Sequence, residues 1–136
     1  MQNLENEPPS RLGVAAIDLN GLKQVNDRKG HRTGDNLICR TANHISSIFE
    51  GKCYRIGGDE FFVIDTELEE DAFRKAIAKM EQNMKQDNIS VSIGISWKGS
   101  NCNTEEQFDE ADRRMYQAKA EFYSSHDTDR RKNASQ

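Results

Sequence analysis

Two adjacent glycines, Gly57 and Gly58, constrain the fold of this chain more than any other feature of its sequence, because they separate two short apolar runs. Each run has the composition of a short strand, and glycine supplies the positive φ that tight hairpin turns require. The sequence therefore predicts a hairpin with a tight turn. Asp59 and Glu60 follow directly, so two carboxylates lie at the bend, where they can bind a hard cation such as Mg²⁺. The two runs are residues 52–56 and 61–64.

A simpler interpretation of this stretch is a hairpin with a solvated acidic turn and no ligand. Short motifs match by chance often enough that the local pattern alone does not separate the two interpretations. A second acidic cluster upstream, which begins at Asp18, favours the interpretation with a ligand.

The composition indicates one water-soluble domain. The chain has 136 residues, 31% charged and 35% hydrophobic, which is long enough for one buried core. No apolar run reaches the length of a membrane span and no signal peptide opens the chain, so we expect a cytoplasmic protein without direct membrane contact. The widely spaced Cys39, Cys53 and Cys102 form neither a zinc motif nor an even set, which fits a reducing compartment. Cys39 and Cys53 have apolar neighbours and are expected to be core thiols.

The charge balance restricts the possible ligands. With 23 acidic and 19 basic residues, the formal net charge is −4, which argues against the broad basic face that nucleic-acid binding requires. A nucleoside triphosphate would also be repelled at long range. Its binding would therefore depend on metal ions and a few local lysines.

Hydrophobic periodicity predicts the element order β-α-α-β-β-α-β-α. The apolar run 12–17 suits a strand covered on both faces, and the strict alternation of residues 89–96 suits a strand with one buried face. A hairpin combined with helical crossovers implies an α+β fold, with a mixed or antiparallel sheet flanked by helices. The predicted helices are residues 20–28, 33–49, 67–86 and 104–122. The predicted division is a polar N-terminal segment (1–11), one domain (12–123) and a disordered tail (124–136).

The candidate site begins with Asp18, which ends the first predicted strand at a sheet edge where ligands of such folds gather. If the hairpin pairs beside this strand, Asp18 and Asp59 converge, and two carboxylates beside a triphosphate can bind Mg²⁺. Free N–H groups at the start of the next helix, with Lys23 on its first turn, suit phosphate oxygens. The simpler alternatives are that Asp18 caps that helix and that Lys23 is a solvated lysine. Asn26 and Asp35 would then be a turn residue and a charge near a helix N terminus.

A series of further motifs follows in one order along most of the chain, from about residue 14 to residue 119. Together with the hairpin letters, this series resembles the GGDEF family, the diguanylate cyclases. The matching residues are Asp18, Lys23, Asn26-Asp27, Gly30-His31, Gly34-Asp35, Gly57-Gly58-Asp59-Glu60-Phe61, Ser92-Ile93-Gly94, Ala111-Asp112, Met115-Tyr116 and Ala118-Lys119.

The resemblance implies a palm-like fold, similar to class III nucleotide cyclases and polymerase palms. It implies a reaction in which two GTP molecules condense to cyclic di-GMP and release two pyrophosphates. Two such domains would meet in a two-fold dimer, each holding one GTP and two Mg²⁺ ions, with Mn²⁺ as an alternative. The implied partner that brings them together is an N-terminal sensory domain outside this chain.

The resemblance also implies roles for individual residues. Asp59 and Glu60 would be catalytic, and Asn26 with Asp35 would recognise guanine, whose N1–H and 2-amino group are a donor pair that adenine lacks. The implied metal ligands are Asp18, the carbonyl of Leu19, Asp59 and Glu60. The implied GTP contacts are Lys23, Asn26, Asp35, Lys119, and the backbone from Asn20 to Leu22 and at Gly57 and Gly58.

Three departures from the family pattern leave an alternative open, and a fourth, at residues 20 and 21, is tolerable because the N–H donors of that loop remain. Tyr123 stands where the family has a phosphate-binding arginine, a loss expected to weaken GTP binding by about 1–3 kcal/mol. Residues 48–51 lack the arginine and aspartate of the family's product-inhibition site, so we expect no feedback there. The family's opening helix is missing, as in a trimmed domain, and Asn20 and Gly21 replace an acid and an aromatic residue. The alternative function is a catalytically weak or inactive GTP-binding regulatory module, and a purely structural dimerisation domain is a third possibility.

Overall fold

The computed structural model describes the backbone of residues 10–134 and the side chains of residues 10–125. The predicted order of strands and helices is confirmed. The elements are β1 (Leu12–Leu19), α1 (Leu22–Lys29), α2 (His31–Ile48), β2 (Cys53–Arg55), β3 (Glu60–Asp65), α3 (Glu70–Gln86), β4 (Val91–Lys98) and α4 (Thr104–Ala134). Most of the predicted N-terminal segment lies outside the described residues.

The four strands form one sheet in the order β2-β3-β1-β4, and every neighbouring pair is antiparallel. The α+β class is therefore confirmed, and the sheet is antiparallel rather than mixed. β1 lies inside the sheet and all eight of its residues are buried, as its continuous apolar run predicts. Because β3 pairs beside β1, the hairpin is brought to the end of β1 at Asp18.

Each face of the sheet carries its own hydrophobic cluster, since successive strand residues point to opposite faces. The larger cluster joins β1 residues such as Ile17 to α2 and α3. The smaller one joins Val14, Ala16 and Phe62 to Ala111 and Met115 of α4. On α3, an apolar stripe at helical spacing faces the larger cluster, with Phe73, Ile77, Met80 and Met84 buried and Ala76 half-buried.

The expectation of one buried face on β4 is wrong. Ser92, Gly94 and Ser96, the small and polar set, are buried, whereas Ile93 and Ile95 are only half-buried against the larger cluster. The cause is the close approach of α4 to the face that the alternation marks as exposed. A Cβ on Gly94 would lie 2.1 Å from the carbonyl oxygen of Ala111 and 2.3 Å from the backbone nitrogen of Met115.

The predicted tight turn at the glycines is also wrong in its backbone geometry. Residues 56–59 form a four-residue loop between β2 and β3, and neither Gly57 nor Gly58 has a positive φ. A longer loop does not impose the left-handed backbone of a two-residue hairpin turn. The Arg55 side chain instead closes the loop, donating to the carbonyl oxygens of Gly57 and Gly58 at 3.0 and 2.8 Å.

The last helix is longer than predicted. α4 continues to Ala134 rather than ending near residue 122, so the expected disordered tail is corrected to helical backbone for residues 124–134. The reason is compositional, because no proline or glycine interrupts the sequence from Thr104 to Ala134. None of the helices in the described part of the chain has the length and apolarity needed to cross a bilayer.

Three further side chains, two thiols and one indole, differ in how far the core covers them. Cys39 is exposed and Cys53 only partly buried, so the prediction of two core thiols is wrong for Cys39. Cys39 follows the buried Ile38, and the rotation of about 100° per helical residue carries it away from the core. Trp97, near the end of β4, packs against the larger cluster and donates its indole N–H to the Leu68 carbonyl at 3.1 Å.

Candidate active site

The end of β1 and the start of β3 bring the predicted carboxylates together. Asp18 is the cross-strand partner of Glu60, so both side chains leave the same face of the sheet. The N–H of Leu19 donates to the carbonyl of Asp59 at 3.0 Å, which fixes the loop to the strand end. The predicted convergence of Asp18 and Asp59 is therefore confirmed, and it follows from the pairing of β1 with β3.

Lys119 of α4 lies at the centre of this group. Its Nζ is 3.0 Å from Asp18 Oδ2 and 4.0 Å from Asp59 Oδ2, and it donates to the Leu19 carbonyl at 3.1 Å. These three oxygen donors are three of the four groups implied to bind metal. The resemblance placed Lys119 on phosphate, whereas the structure places its ammonium among the candidate metal ligands.

The electrostatics of Asp18 fit a site that holds positive charge. Its carboxylate is 5% exposed, and burial raises its pKa while the ammonium of Lys119 opposes that shift. Asp18 Oδ1 is buried without a hydrogen-bond partner among the described residues. An unpartnered buried carboxylate oxygen costs free energy unless a donor or a cation reaches it.

Glu60 is paired with an acid that sequence reasoning left without a role. Burial, reinforced by a hydrogen bond with the Asp112 carboxyl group, raises the pKa of Glu60 to about 7. Asp112 lies on α4, and its Oδ1 is likewise buried without a partner in the described part of the chain. The signal for Asp112 was its place in the Ala111-Asp112 motif, but its contact with Glu60 depends on how α4 crosses the sheet.

The loop between β1 and α1 is held by contacts on both sides. Gly21 precedes α1 with a φ of 76° and no side-chain cap, so the alternative role of Asp18 as a helix cap is excluded. The N–H of Gly21 donates to the hydroxyl of Tyr123 at 3.0 Å. Asn20 Nδ2 donates to Ser90 Oγ at 3.1 Å, and Ser92 Oγ donates to Asn20 Oδ1 at 2.8 Å. The departures from the family pattern at positions 20, 21 and 123 are visible in the sequence, but the sequence did not predict any of these contacts.

The two candidate guanine-binding residues lie on adjacent helices. Asn26 is half-buried on α1, and its side chain covers Gly34 of α2 so closely that a Cβ there would lie 1.7 Å from Asn26 Oδ1. Asp35 is the next residue of α2 and is exposed. Asn26 therefore lies on a helix rather than in a turn. The structure places both side chains on the same pair of helices.

The remaining residues implied to contact the phosphates differ in how exposed they are. Lys23 is exposed on α1, whereas Leu22 is partly buried against the larger cluster. A Cβ at Gly58 would meet no atom within 4 Å, and one at Gly57 only the Glu60 Cβ at 3.9 Å. Neither φ nor internal packing therefore requires glycine at these two positions, and the space beside them is open to a ligand.

The chemistry of these donors fits a hard cation. Within the described residues, no three or more His, Cys, Asp or Glu side chains are gathered in the manner of a metal centre. The candidate set is smaller, two carboxylates and one carbonyl oxygen, and oxygen donors of this kind suit Mg²⁺ when substrate phosphates complete its coordination. The three oxygens already surround one cation, the ammonium of Lys119.

Curated relatives of this chain are much longer than it. The signalling protein YkoW of Bacillus subtilis is 39% identical over 120 residues, which cover 78% of this chain and 15% of that protein. Diguanylate cyclase DgcS of Shewanella oneidensis is 28% identical over 119 residues, 80% of this chain and 39% of that protein. The chain thus spans well under half the length of these relatives.

Solved structures share the fold. The GGDEF domain of DgcB from Caulobacter crescentus, determined with c-di-GMP, superposes with a TM-score of 0.73 at 22% identity, covering 86% of this chain and 76% of that one. At this identity the likeness shows the palm fold alone, and that prediction is confirmed. The family model described as "Diguanylate cyclase, GGDEF domain" matches residues 1–124. The chain therefore belongs to the GGDEF family of diguanylate cyclases.

Proposed function

We propose that this domain condenses two GTP molecules into cyclic di-GMP when two copies meet face to face. The observation that carries the proposal is the convergence of Asp18, the Leu19 carbonyl and Asp59 on the ammonium group of Lys119, next to a loop whose glycines leave open space. In each half-reaction, the 3′-hydroxyl oxygen of one GTP bonds to the α-phosphorus of the other. The bond from that phosphorus to the bridging oxygen breaks, pyrophosphate leaves, and the hydroxyl proton passes to solvent.

Each group of residues has a distinct part in this proposal. Asn26 and Asp35 recognise the guanine edge. The backbone of residues 20–22 and of Gly57 and Gly58, with Lys23, binds the phosphates. Lys119 contributes a further charge to the phosphates after it leaves the carboxylates. These contacts orient the substrate, which accounts for much of the rate enhancement in phosphoryl-type transfer.

Two Mg²⁺ ions per site, or Mn²⁺ in their place, would be held by Asp18, the Leu19 carbonyl, Asp59 and Glu60. When bound, they would activate the attacking hydroxyl and neutralise charge on the leaving oxygen. The unpartnered Asp18 Oδ1 and the ammonium among the same oxygens support this assignment. For Glu60 to serve as a metal ligand, it must lose its proton, whereas its contact with Asp112 favours the protonated form.

The reaction requires a second GGDEF domain, because one site holds one GTP. We propose a homodimer of this domain, brought together by a sensory domain elsewhere in the protein. Neither nucleic acid nor a membrane has a place in this reaction.

A separate observation supports a second function. Tyr123, in place of the family arginine, takes up a backbone donor of the α1 loop and brings no cation to the phosphates. Weakened phosphate binding of this kind suits a regulatory module that binds GTP and signals without turnover. Side chains beyond residue 125, including Arg130 and Arg131, lie outside the description of this site.

Product analysis on a dimeric form of the protein tests the proposal. The full chain, fused to a dimerising coiled coil, is incubated with GTP and Mg²⁺, and the nucleotides are separated by chromatography. We expect cyclic di-GMP from the unaltered fusion and none from Asp59→Ala, while Asp71→Ala, which removes an exposed acid of α3, retains the activity. GTP binding without product in the unaltered dimer would support the regulatory module instead, and absence of GTP binding would contradict both functions.

We also propose that this chain lacks feedback by cyclic di-GMP at the end of α2. Phe49, in the matching segment, is 2% exposed and belongs to the larger cluster, so it is not available to a ligand. Calorimetric titration with cyclic di-GMP is expected to show no tight binding of a product dimer at residues 48–51. Tight binding of cyclic di-GMP that is lost when Glu50 is substituted would contradict this proposal.

A further inference from the structure

We propose that the hydroxyl of Tyr123 competes with a nucleotide phosphate for the N–H of Gly21, and thereby lowers the affinity of this site for its substrate. The inference rests on the proposed function and assigns a role to one residue of the same site. It starts from the 3.0 Å hydrogen bond that Gly21 donates to Tyr123 across the end of the sheet.

The N–H of Gly21 is a donor that a phosphate would otherwise find free. The first turn of a helix leaves its N–H groups without intrahelical partners, and the helix dipole favours an anion at that end. Gly21 immediately precedes α1, and its φ of 76° sets the direction of its backbone. The acceptor present there is a neutral hydroxyl, which does not exploit the positive end of the helix as a phosphate oxygen would.

Tyr123 is held at this position by its neighbours on α4. Its ring lies edge-on to Phe122 with centroids 5.2 Å apart, and Lys119 Nζ is 5.9 Å from its ring centroid. Lys119 and Tyr123 are four residues apart on α4, which places them on the same side of the helix. The hydroxyl therefore reaches Gly21 from a ring that is already packed.

A single N–H makes one strong hydrogen bond, so the hydroxyl and a phosphate oxygen exclude each other at Gly21. Binding a phosphate there requires the Tyr123 hydroxyl to give up its donor. A neutral hydrogen bond of this kind corresponds to about a three- to tenfold change in an equilibrium constant. Tyr123 is thus an affinity-determining residue of the nucleotide site, and removal of its hydroxyl alone should strengthen binding.

The variant Tyr123→Phe tests this, since phenylalanine keeps the ring against Lys119 and removes only the hydroxyl. The probe is the α,β-methylene analogue of GTP with Mg²⁺, in which the bond that would break cannot be cleaved. Calorimetry is expected to show about three- to tenfold tighter binding by Tyr123→Phe than by the unaltered chain. The matched control is Tyr54→Phe, which alters a tyrosine that is 49% exposed on β2, and its affinity should be unchanged.

Amide NMR gives a second readout that does not depend on the nucleotide. Loss of the hydrogen bond should move the Gly21 amide proton upfield in Tyr123→Phe and not in Tyr54→Phe. Equal or weaker nucleotide binding by Tyr123→Phe, or an unmoved Gly21 signal, would overturn the inference while leaving the proposed function intact. Absence of binding in all three proteins would contradict the proposed function, and this inference with it.

Discussion

Two single side chains determine the state of the unliganded site, because each occupies a position that a ligand group would take. The ammonium of Lys119 takes the place of a cation among the three oxygens, and the hydroxyl of Tyr123 takes that of an anion at Gly21. Both positions lie on one helix, a single turn apart. The free protein therefore satisfies much of its own polar site, and ligands have to replace internal contacts rather than fill bare groups.

Gly34 offers a prediction that separates guanine recognition from stability. Replacing it by alanine adds a methyl group where the Asn26 side chain now lies, 1.7 Å from Asn26 Oδ1, so that side chain must turn away. Alanine is favoured over glycine within a helix by up to about 1 kcal/mol, so stability should be kept. We expect Gly34→Ala to bind the GTP analogue about tenfold more weakly by calorimetry, as when one hydrogen bond to substrate is lost.

The control for this prediction is Asn36→Ala, which changes an exposed residue of the same helix. It should leave affinity unchanged. Full affinity in Gly34→Ala, with stability also unchanged, would show that Asn26 does not recognise the base.

Glu60 gives a pH dependence whose sign follows from the direction of its pKa. Folding raises this pKa from 4.5 to about 7, so the folded state binds the extra proton and is favoured at low pH. The contribution is fully present below pH 4.5 and is lost as pH rises through about 7. In metal-free buffer, Glu60→Gln should become more stable relative to the unaltered protein over this interval. The pKa shift corresponds to roughly 3 kcal/mol, and solvent that screens the partly exposed carboxyl group reduces the expected difference to about 2 kcal/mol.

Urea denaturation at several pH values measures this difference directly. The two proteins should have similar unfolding free energies near pH 4.5 and diverge towards pH 7. Parallel curves across the interval would contradict the raised pKa of Glu60.

At the scale of strands and helices, the close contact between α4 and β4 determines where the site residues stand. Gly94 permits that contact, and α4 then carries Asp112 and Lys119 to the carboxylates of β1 and β3. Alternation along β4 could not reveal this, because it marks Ile93 and Ile95 as the buried set. The determining features were the absence of a side chain at Gly94 and the small side chains of Ser92 and Ser96, which lie two residues to either side of it on the same face of β4.

A pair of glycine substitutions tests this contact. In Gly94→Ala the new methyl group would press on the backbone of α4, 2.1 Å from the Ala111 oxygen, and helix backbone cannot turn aside as a flexible side chain can. We expect a loss of about 3 kcal/mol in unfolding free energy, at the upper end for overpacked cores. Gly58→Ala, where a Cβ meets nothing within 4 Å, should cost almost nothing.

Thermal and urea unfolding of the two variants provide the measurement. Equal stability of both variants would mean that α4 can move away from β4 at little cost. The positions of Asp112, Lys119 and Tyr123 would then not be fixed by this contact.

The elements also show which parts of the site are predictable from sequence. Asp18 and Asp59 converge because β1 and β3 are neighbours in the sheet. Strand composition identified both strands, and the convergence was predicted on the condition that they pair. The positions of Lys119 and Tyr123 were not predictable, because they depend on the crossing of α4, which no local pattern encodes. The prediction of a tight turn at Gly57 was wrong for another reason. Glycine permits a positive φ but does not require it, and at this position it leaves open space instead.

At the scale of the whole molecule, the candidate site occupies one end of the sheet. Asp18 pairs with Ser92, whereas Gly13, near the other end of β1, pairs with Trp97. Five residues of strand separate the two positions, a distance of about 17 Å. The candidate site therefore lies at one edge of the sheet, which agrees with the proposed reaction, in which the second GTP comes from a second domain.

The position of Trp97 has a practical consequence for fluorescence. It is the single tryptophan of the chain, it is packed against the larger cluster, and its indole is tied to Leu68. Its emission should change strongly when urea unfolds the domain and stay nearly constant when the GTP analogue is added. A saturable change in emission during nucleotide titration would show that binding at one end of the sheet alters packing at the other. If no such change is seen, the Trp97 fluorescence reports whether the domain is folded and does not respond to nucleotide binding.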